Sequence, residues 1–486
     1  MVSEKFRRQL RTEARSWTME GLISEEQYQE LSSRYGFETL DGPNQNRFVA
    51  ILVGLGALLI SSGAIALVQA NWEVWSRESK TALLVGIFIA VNLCAFYLWG
   101  DPLGRSHRFL GWQTRTGHGL FFLSSLLLGL NMSLIGEIFL MSPSLGEFWL
   151  IWGGAVLVMA YSLRLTGCGI LATLLIGAGY WPGLAQVYQG DGLFWIRTVV
   201  LHLPLISAFL LVPLAYWCRS PWIFGLATLV LIQSMQVNLI VGFSLLNVPN
   251  HWMLAIAYAL PPALLWSYDD QPWQVTSLFE GGKELPHFRP VARTFALIFL
   301  ALSFYVISFH WFWSSASPLA PWDPTIAEIP LQQGFAYLLD ILIVLGSWLA
   351  LVWHFSSPGD NFRRFSSPDA YLNHAIALVI AIATGMLFWH FGIQPLPLLG
   401  PLIFNILLFL LAYGLMRQGL TQGDRRIFWW GTLLLTLQIL TRVLEYETGL
   451  VLKSIVFVLC GMATIAIGLA VGSRIKSIED EELTRE

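Results

Sequence analysis

Apolar residues run through this chain in blocks of about twenty, separated by short polar turns. The first block, 48–70, holds 23 residues without a charge, with Arg47 before it and Asn71 and Trp72 after it. A hydrocarbon layer roughly 30 Å thick takes about 20 apolar helical residues to cross, so the block predicts a membrane span. Further spans are predicted at 81–99, 117–141, 147–166, 167–185, 194–217, 221–246, 251–268, 291–313, 331–355, 370–391, 398–419, 425–447 and 449–473. The fold class is therefore all-α and polytopic, with about 14 transmembrane helices. They group into seven hairpins, and the pairs 117–166, 221–268 and 370–419 resemble one another in hydropathy. Pro143, Pro249 and Pro395 mark the turns of those three, a pattern of repeated hairpins.

Residues 1–47 have a different character. Phe6, Leu10, Ala14 and Trp17 recur at helical spacing and form one apolar stripe. A second helix opens at Ser24, with Gln27 completing a capping box and Ile23 and Tyr28 at the positions of a hydrophobic staple. Tyr28, Leu31 and Tyr35 would face the first helix, and Gly36 is the expected stop. The segment reads as a small cytosolic helical module, 1–47, ahead of a transmembrane domain, 48–475, and a charged cytosolic tail, 476–486. Its hydrophilic character predicts no cleaved signal peptide, so the first span is expected to serve as its own insertion signal.

Composition supports this division. The chain of 486 residues is 55% apolar and only 12% charged, with a mean hydropathy of +0.61; a soluble protein of this size carries far more charge. A net charge of −3 without a basic run argues against a nucleic-acid partner. The four cysteines show no C-x-x-C spacing, so disulfides and cysteine metal sites are not expected. Lys and Arg supply an orientation. With the N-terminus inside, the inner side holds seven in residues 1–47, three in the tail and thirteen in the loops between. Only Arg77, Lys80, Arg197, Arg442 and Lys453 fall outside. A miscounted span would scramble that segregation, so both termini are expected in the cytoplasm. Many of the 22 tryptophans sit at span ends, where an amphipathic ring anchors at the interface.

Particular residues carry a family resemblance. Trp17, Gly21 and Ile23, followed by Gln27 and Leu31, precede a glycine-rich first span that ends in Ala70-Asn71-Trp72. Lys80 opens the second span, and Ile135-Gly136-Glu137-Ile138-Phe139 lies in a later one. Over Trp17 to Glu137, the chain resembles a bacterial family of predicted membrane proteins, domain of unknown function 2157. The resemblance implies a multi-pass protein of the bacterial inner membrane and brings no activity, cofactor or mechanism.

No enzyme signature is present: there is no H-E-x-x-H, no G-x-S-x-G and no phosphate-binding loop. Glu73 stands in an outer loop too short for a donor or acceptor site, so neither catalytic residues nor a cofactor nor a metal is expected. Ionisable groups inside spans say more, because hydrocarbon makes them costly. Asp340 lies nine residues into its span, about 13 Å deep at 1.5 Å per residue. Glu137, His202, His310 and His390 also fall in the outer half, and Arg442 stands three residues before Glu445 on one helix face. Glu447 and Lys453 extend that polar edge.

Glu137, His202, His310, Asp340, Arg442 and Glu445 are thus candidates for one polar pocket open to the outer side. Asp340 and Glu137 would be the cation or proton sites, with the histidines relaying charge. The competing reading has each acid protonated and tying helices together, with Arg442 and Glu445 as an interfacial salt bridge. Gly177, Gly179 and Pro182 are where the fifth span could break to expose its backbone. Two functions follow. One is a transporter-like protein acting on a small ion or solute. The other is a non-catalytic scaffold or assembly factor that docks a membrane protein partner through residues 1–47. The lipid bilayer is a partner in both.

Overall fold

A computed structural model of the chain describes residues 4–35, 74–100, 110–140, 144–189, 194–246, 248–270, 286–314, 338–343, 346, 368–445, 449–451, 453–462 and 465. The span expected at 48–70, most of 331–355 and the charged tail lie outside them, as do Glu73, Pro143 and Glu447. Regular structure among the described residues is helical throughout. The chain divides into two compact units, Met1–Ile87 and Phe88–Glu486.

In the first unit, α1 (Glu4–Met19) and α2 (Glu25–Tyr35) fold against each other. Ala14 is fully enclosed by Leu10, Trp17, Ile23, Tyr28, Leu31 and Tyr35, the residues the apolar stripe and staple pick out. The Ser24 hydroxyl accepts from Gln27 N–H at 3.3 Å while Gln27 Oε1 accepts from Ser24 N–H at 2.9 Å, so both orphan donors at the start of α2 are satisfied. Gly21, at φ 75°, turns the chain between the helices.

The remaining helices are α3 (Arg77–Gly100), α4 (Leu110–Ile138), α5 (Leu145–Leu163), α6 (Thr166–Gln189), α7 (Phe194–Leu201), α8 (Leu203–Trp217) and α9 (Pro221–Leu245). After them come α10 (Asn250–Trp266), α11 (Arg289–Ile307), α12 (His310–Ser314), α13 (Pro368–Gly392), α14 (Leu399–Gln422) and α15 (Arg425–Glu445). Nine of the helices are long and apolar enough to cross a membrane among the described residues, or ten with α7 and α8 taken as one bent span. These helices make the chain a multi-pass membrane protein. Leu93, Phe96, Val158, Leu302, Leu402 and Trp430 stand exposed on them, as lipid-facing positions must be.

Two cores organise the second unit. One joins α4 to α9 around Leu150, Val156, Tyr180, Leu203, Leu214 and Phe224. The other joins α11 to α14 around Phe304, Trp313, Leu387 and Phe404. The most extensive pairings are α5 with α6 and α14 with α15, which link successive predicted hairpins rather than lying within them. The reason is local. Arg164 and Gly423 close these turns in left-handed conformation, at φ 53° and 68°, and small residues then let the backbones touch. A Cβ on Gly146 would stand 2.7 Å from Gly183 N. Gly146→Ala is therefore expected to cost about 1–3 kcal/mol by overpacking. Gly154→Ala, with open space around it, should be neutral or slightly stabilising; unfolding of both in detergent checks the contrast.

The break that Gly177, Gly179 and Pro182 could allow in the fifth span does not occur. Helix α6 runs unbroken from Thr166 to Gln189 with Pro182 inside it. Gly177, Gly179 and Gly183 serve packing instead: Cβ atoms there would meet Val230 of α9, Leu150 of α5 and Val200 of α7 at 2.8, 3.0 and 2.9 Å. The break lies one span later.

Candidate functional site

Helices α7 and α8 meet at a bend of 61°. Pro204 has no N–H to offer the Val200 carbonyl, and Pro213 likewise deprives Phe209. Between the two prolines the backbone widens into a π turn at Ser207–Leu211, with Val212 N–H bonded to Ser207 O. His202 sits at the corner, at φ −92° and ψ 15°. The Leu201 carbonyl exposed there accepts from Asn238 Nδ2 of α9 at 2.7 Å. Asn238 is fully buried and takes the Tyr180 hydroxyl at 3.5 Å on its Oδ1. In lipid an unsatisfied carbonyl costs several kcal/mol, so Asn238 makes the corner tolerable.

The corner carries a charge partner. His202 Nδ1 lies 2.8 Å from Asp340 Oδ2 and 3.0 Å from Oδ1, facing both carboxylate oxygens. The carboxylate is 1% exposed and the imidazole 37%. Asp340 comes from the short helical stretch 338–343, whose Ile341 packs on Met235 and Leu239 of α9. One face of α9 thus satisfies the bent helix through Asn238 and seats the acid through its neighbours. The Nε2 edge of His202 makes no hydrogen bond among the described residues. An imidazole held by a carboxylate on one nitrogen, with the other unengaged, can take up and release a proton with little rearrangement.

A second cluster is built on α15. Arg442 and Glu445 pair at 2.5 Å, one turn apart. Their target is the gap between α11 and α12. Arg442 Nη1 donates to the Ser308 carbonyl at 2.8 Å, and Glu445 Oε1 accepts the His310 N–H at 2.7 Å. The guanidinium lies 3.7 Å over the Phe309 ring. One ion pair therefore answers both polarities of a helix end and a helix start. Asn405 of α14 also donates to Ser308 O at 3.1 Å, and Gln438 Nε2 donates to Asn405 O at 2.8 Å.

The six candidate residues are thus distributed over two groups and one single position. His202 joins Asp340; Arg442 and Glu445 join the backbone of His310; Glu137 is exposed on α4 and belongs to neither. His390 stands in the last turn of α13: its Nδ1 accepts the Leu396 N–H at 2.8 Å, fixing the link from α13 to α14 beside Trp313.

Two buried polar positions escaped the sequence. Asn238 gives no signal beyond being an amide inside an apolar helix. Asp270 lies in a polar loop and looks solvated, yet it is buried. It accepts from the Tyr216 hydroxyl at 2.5 Å and from the N–H groups of Phe288 and Arg289 at 3.0 Å each. It thereby ties the end of α8 to the start of α11, with His287 3.8 Å away. Among the described residues no three His, Cys, Asp or Glu side chains gather into a metal site.

Comparison with known proteins finds a match at the front of the chain. Residues 15–169 match the family described as Predicted membrane protein (DUF2157). The DUF2157 match runs from within α1 to the first turn of α6 and includes Glu137. The bent span, Asp340 and the α15 cluster lie beyond it. Neither curated proteins nor solved structures match the chain.

Proposed function

We propose that the protein is a transporter-like membrane protein in which the His202–Asp340 pair, at the corner of the bent α7–α8 span, binds a proton and conducts it down its gradient, a flow available to drive the movement of a small ion or solute. The observation that carries this reading is a nearly inaccessible carboxylate hydrogen-bonded to a partly exposed imidazole at a break in an apolar helix. Groups of this kind inside spans are expensive and mark ion paths. Bent helices expose polar backbone where substrates bind. In the full reading the chain crosses the bacterial inner membrane about 14 times, with both termini cytoplasmic and the corner toward the outer face. It uses no catalytic residue and no cofactor.

Purified protein in liposomes, with a pH indicator trapped inside and a potassium diffusion potential imposed, provides the test. Wild type and Glu137→Gln should admit protons faster than protein-free liposomes, while Asp340→Asn and His202→Gln should fall to the protein-free rate. Proton entry through Asp340→Asn at the wild-type rate, or through wild type at the protein-free rate, would defeat the reading.

One observation favours the scaffold reading. Met19 and Leu22 are exposed at 87% and 70% where α1 turns into α2, beside an otherwise self-contained pair. Exposed apolar tips of this kind suit docking. Under that reading, deleting residues 1–45 abolishes co-purification of a stoichiometric membrane partner, and a wild-type protein that purifies alone excludes it.

A further inference from the structure

Two neighbouring turns in the second unit carry cations, and one of these lies over an aromatic ring. Arg164 follows α5 and Arg219 follows α8, both in left-handed conformation and both exposed. The Arg164 guanidinium lies 3.9 Å over the ring of Trp217, which stands two residues before Arg219. The indole is fixed: its Nε1–H donates to Tyr161 O at 2.9 Å, and the Tyr161 hydroxyl donates to Leu210 O at 2.5 Å. Neither arginine forms an ion pair with a carboxylate among the described residues. Asp270, which Tyr216 draws to the same turn, is buried and already holds a hydroxyl and two backbone N–H groups.

These features together describe a ligand. A guanidinium whose face rests on an indole keeps its edge N–H donors available, in a fork that matches phosphate oxygens. A second cation on the neighbouring turn suits a lipid whose phosphodiester charge is uncompensated better than a zwitterionic headgroup. The position, where α5 and α8 end, α6 and α9 begin and a tryptophan marks the boundary, is the depth of lipid phosphates. We propose that the corner formed by Arg164, Trp217 and Arg219 holds the phosphate of an anionic glycerophospholipid.

The full chain in mixed detergent micelles tests this by native mass spectrometry, with phosphatidylglycerol titrated against phosphatidylcholine and inorganic phosphate in a separate arm. Retention should favour phosphatidylglycerol. It should weaken about fivefold for Arg164→Asn or Arg219→Asn, roughly what one basic residue near an anionic surface contributes. Asparagine is the chosen replacement because it tolerates left-handed backbone, so the turns persist. Trp217→Leu should weaken retention through Arg164 alone, and Arg197→Gln, at the far end of the bent span, should leave it unchanged. Equal retention of both lipids, full retention by the doubly substituted protein, or displacement by millimolar inorganic phosphate would each overturn the proposal.

Discussion

Replacing Glu445 by alanine is expected to lower the unfolding free energy by about 3–5 kcal/mol, the range found when one member of a buried ion pair is removed. The loss has two sources. Arg442 keeps its charge in a site where it lies against Phe309 and bonds to Ser308 O, now without its counter-ion. The His310 N–H loses its acceptor at the start of α12. Removing both charges together, with Arg442→Met and Glu445→Leu, should recover much of that loss, because the isolated cation is gone and Asn405 still serves the Ser308 carbonyl. Denaturant unfolding in micelles distinguishes the outcomes. A Glu445→Ala protein within about 1 kcal/mol of wild type would show that solvent reaches the cluster.

Asp270→Ala should be of similar size, at about 3 kcal/mol, since the buried donors of Tyr216 and Phe288 and the partly buried N–H of Arg289 each lose an acceptor worth about 1–3 kcal/mol. Two of them, the N–H groups of Phe288 and Arg289, open α11, where a carboxylate also meets the positive end of the helix dipole. Tyr216→Phe removes the third contact together with the 2.8 Å contact between the Tyr216 and Tyr268 hydroxyls, and should cost about 1–2 kcal/mol. Hydrogen exchange separates a local from a global effect: the Phe288 and Arg289 amides should lose protection first in Asp270→Ala. Unchanged protection there would mean that water replaces the carboxylate.

Much of this arrangement could be read along the chain, and the rest could not. The α1–α2 pair was legible to the level of its capping box, because caps and stripes act over three or four residues. The Arg442–Glu445 pair was legible for the same reason. What the pair holds was not, since Ser308 and His310 are more than 130 residues away and a backbone gap leaves no mark in side-chain chemistry. Counting placed His202 eight residues into its span and Asp340 nine into another, which matches their depths without saying that they touch. The same counting set Glu137 beside them, and packing puts it elsewhere. The proline signal was read one helix early. Pro182 lies among glycines that let neighbours close around α6, whereas Pro204 and Pro213 act together on a stretch where His202 and Asn238 supply other hydrogen bonds.

The sequence by itself determined that apolar helices traverse a bilayer, roughly where each of the described ones begins and ends, and which few ionisable groups they carry inside. Hydrocarbon enforces those features on every segment separately, so each is written in its own twenty residues. Only the tertiary structure decided which buried groups meet: Asp340 with His202, Glu445 with the His310 amide, Asp270 with the start of α11. Rotation of a helix about its axis and the choice of its neighbours depend on the summed packing of several helices at once, and no single segment encodes that sum.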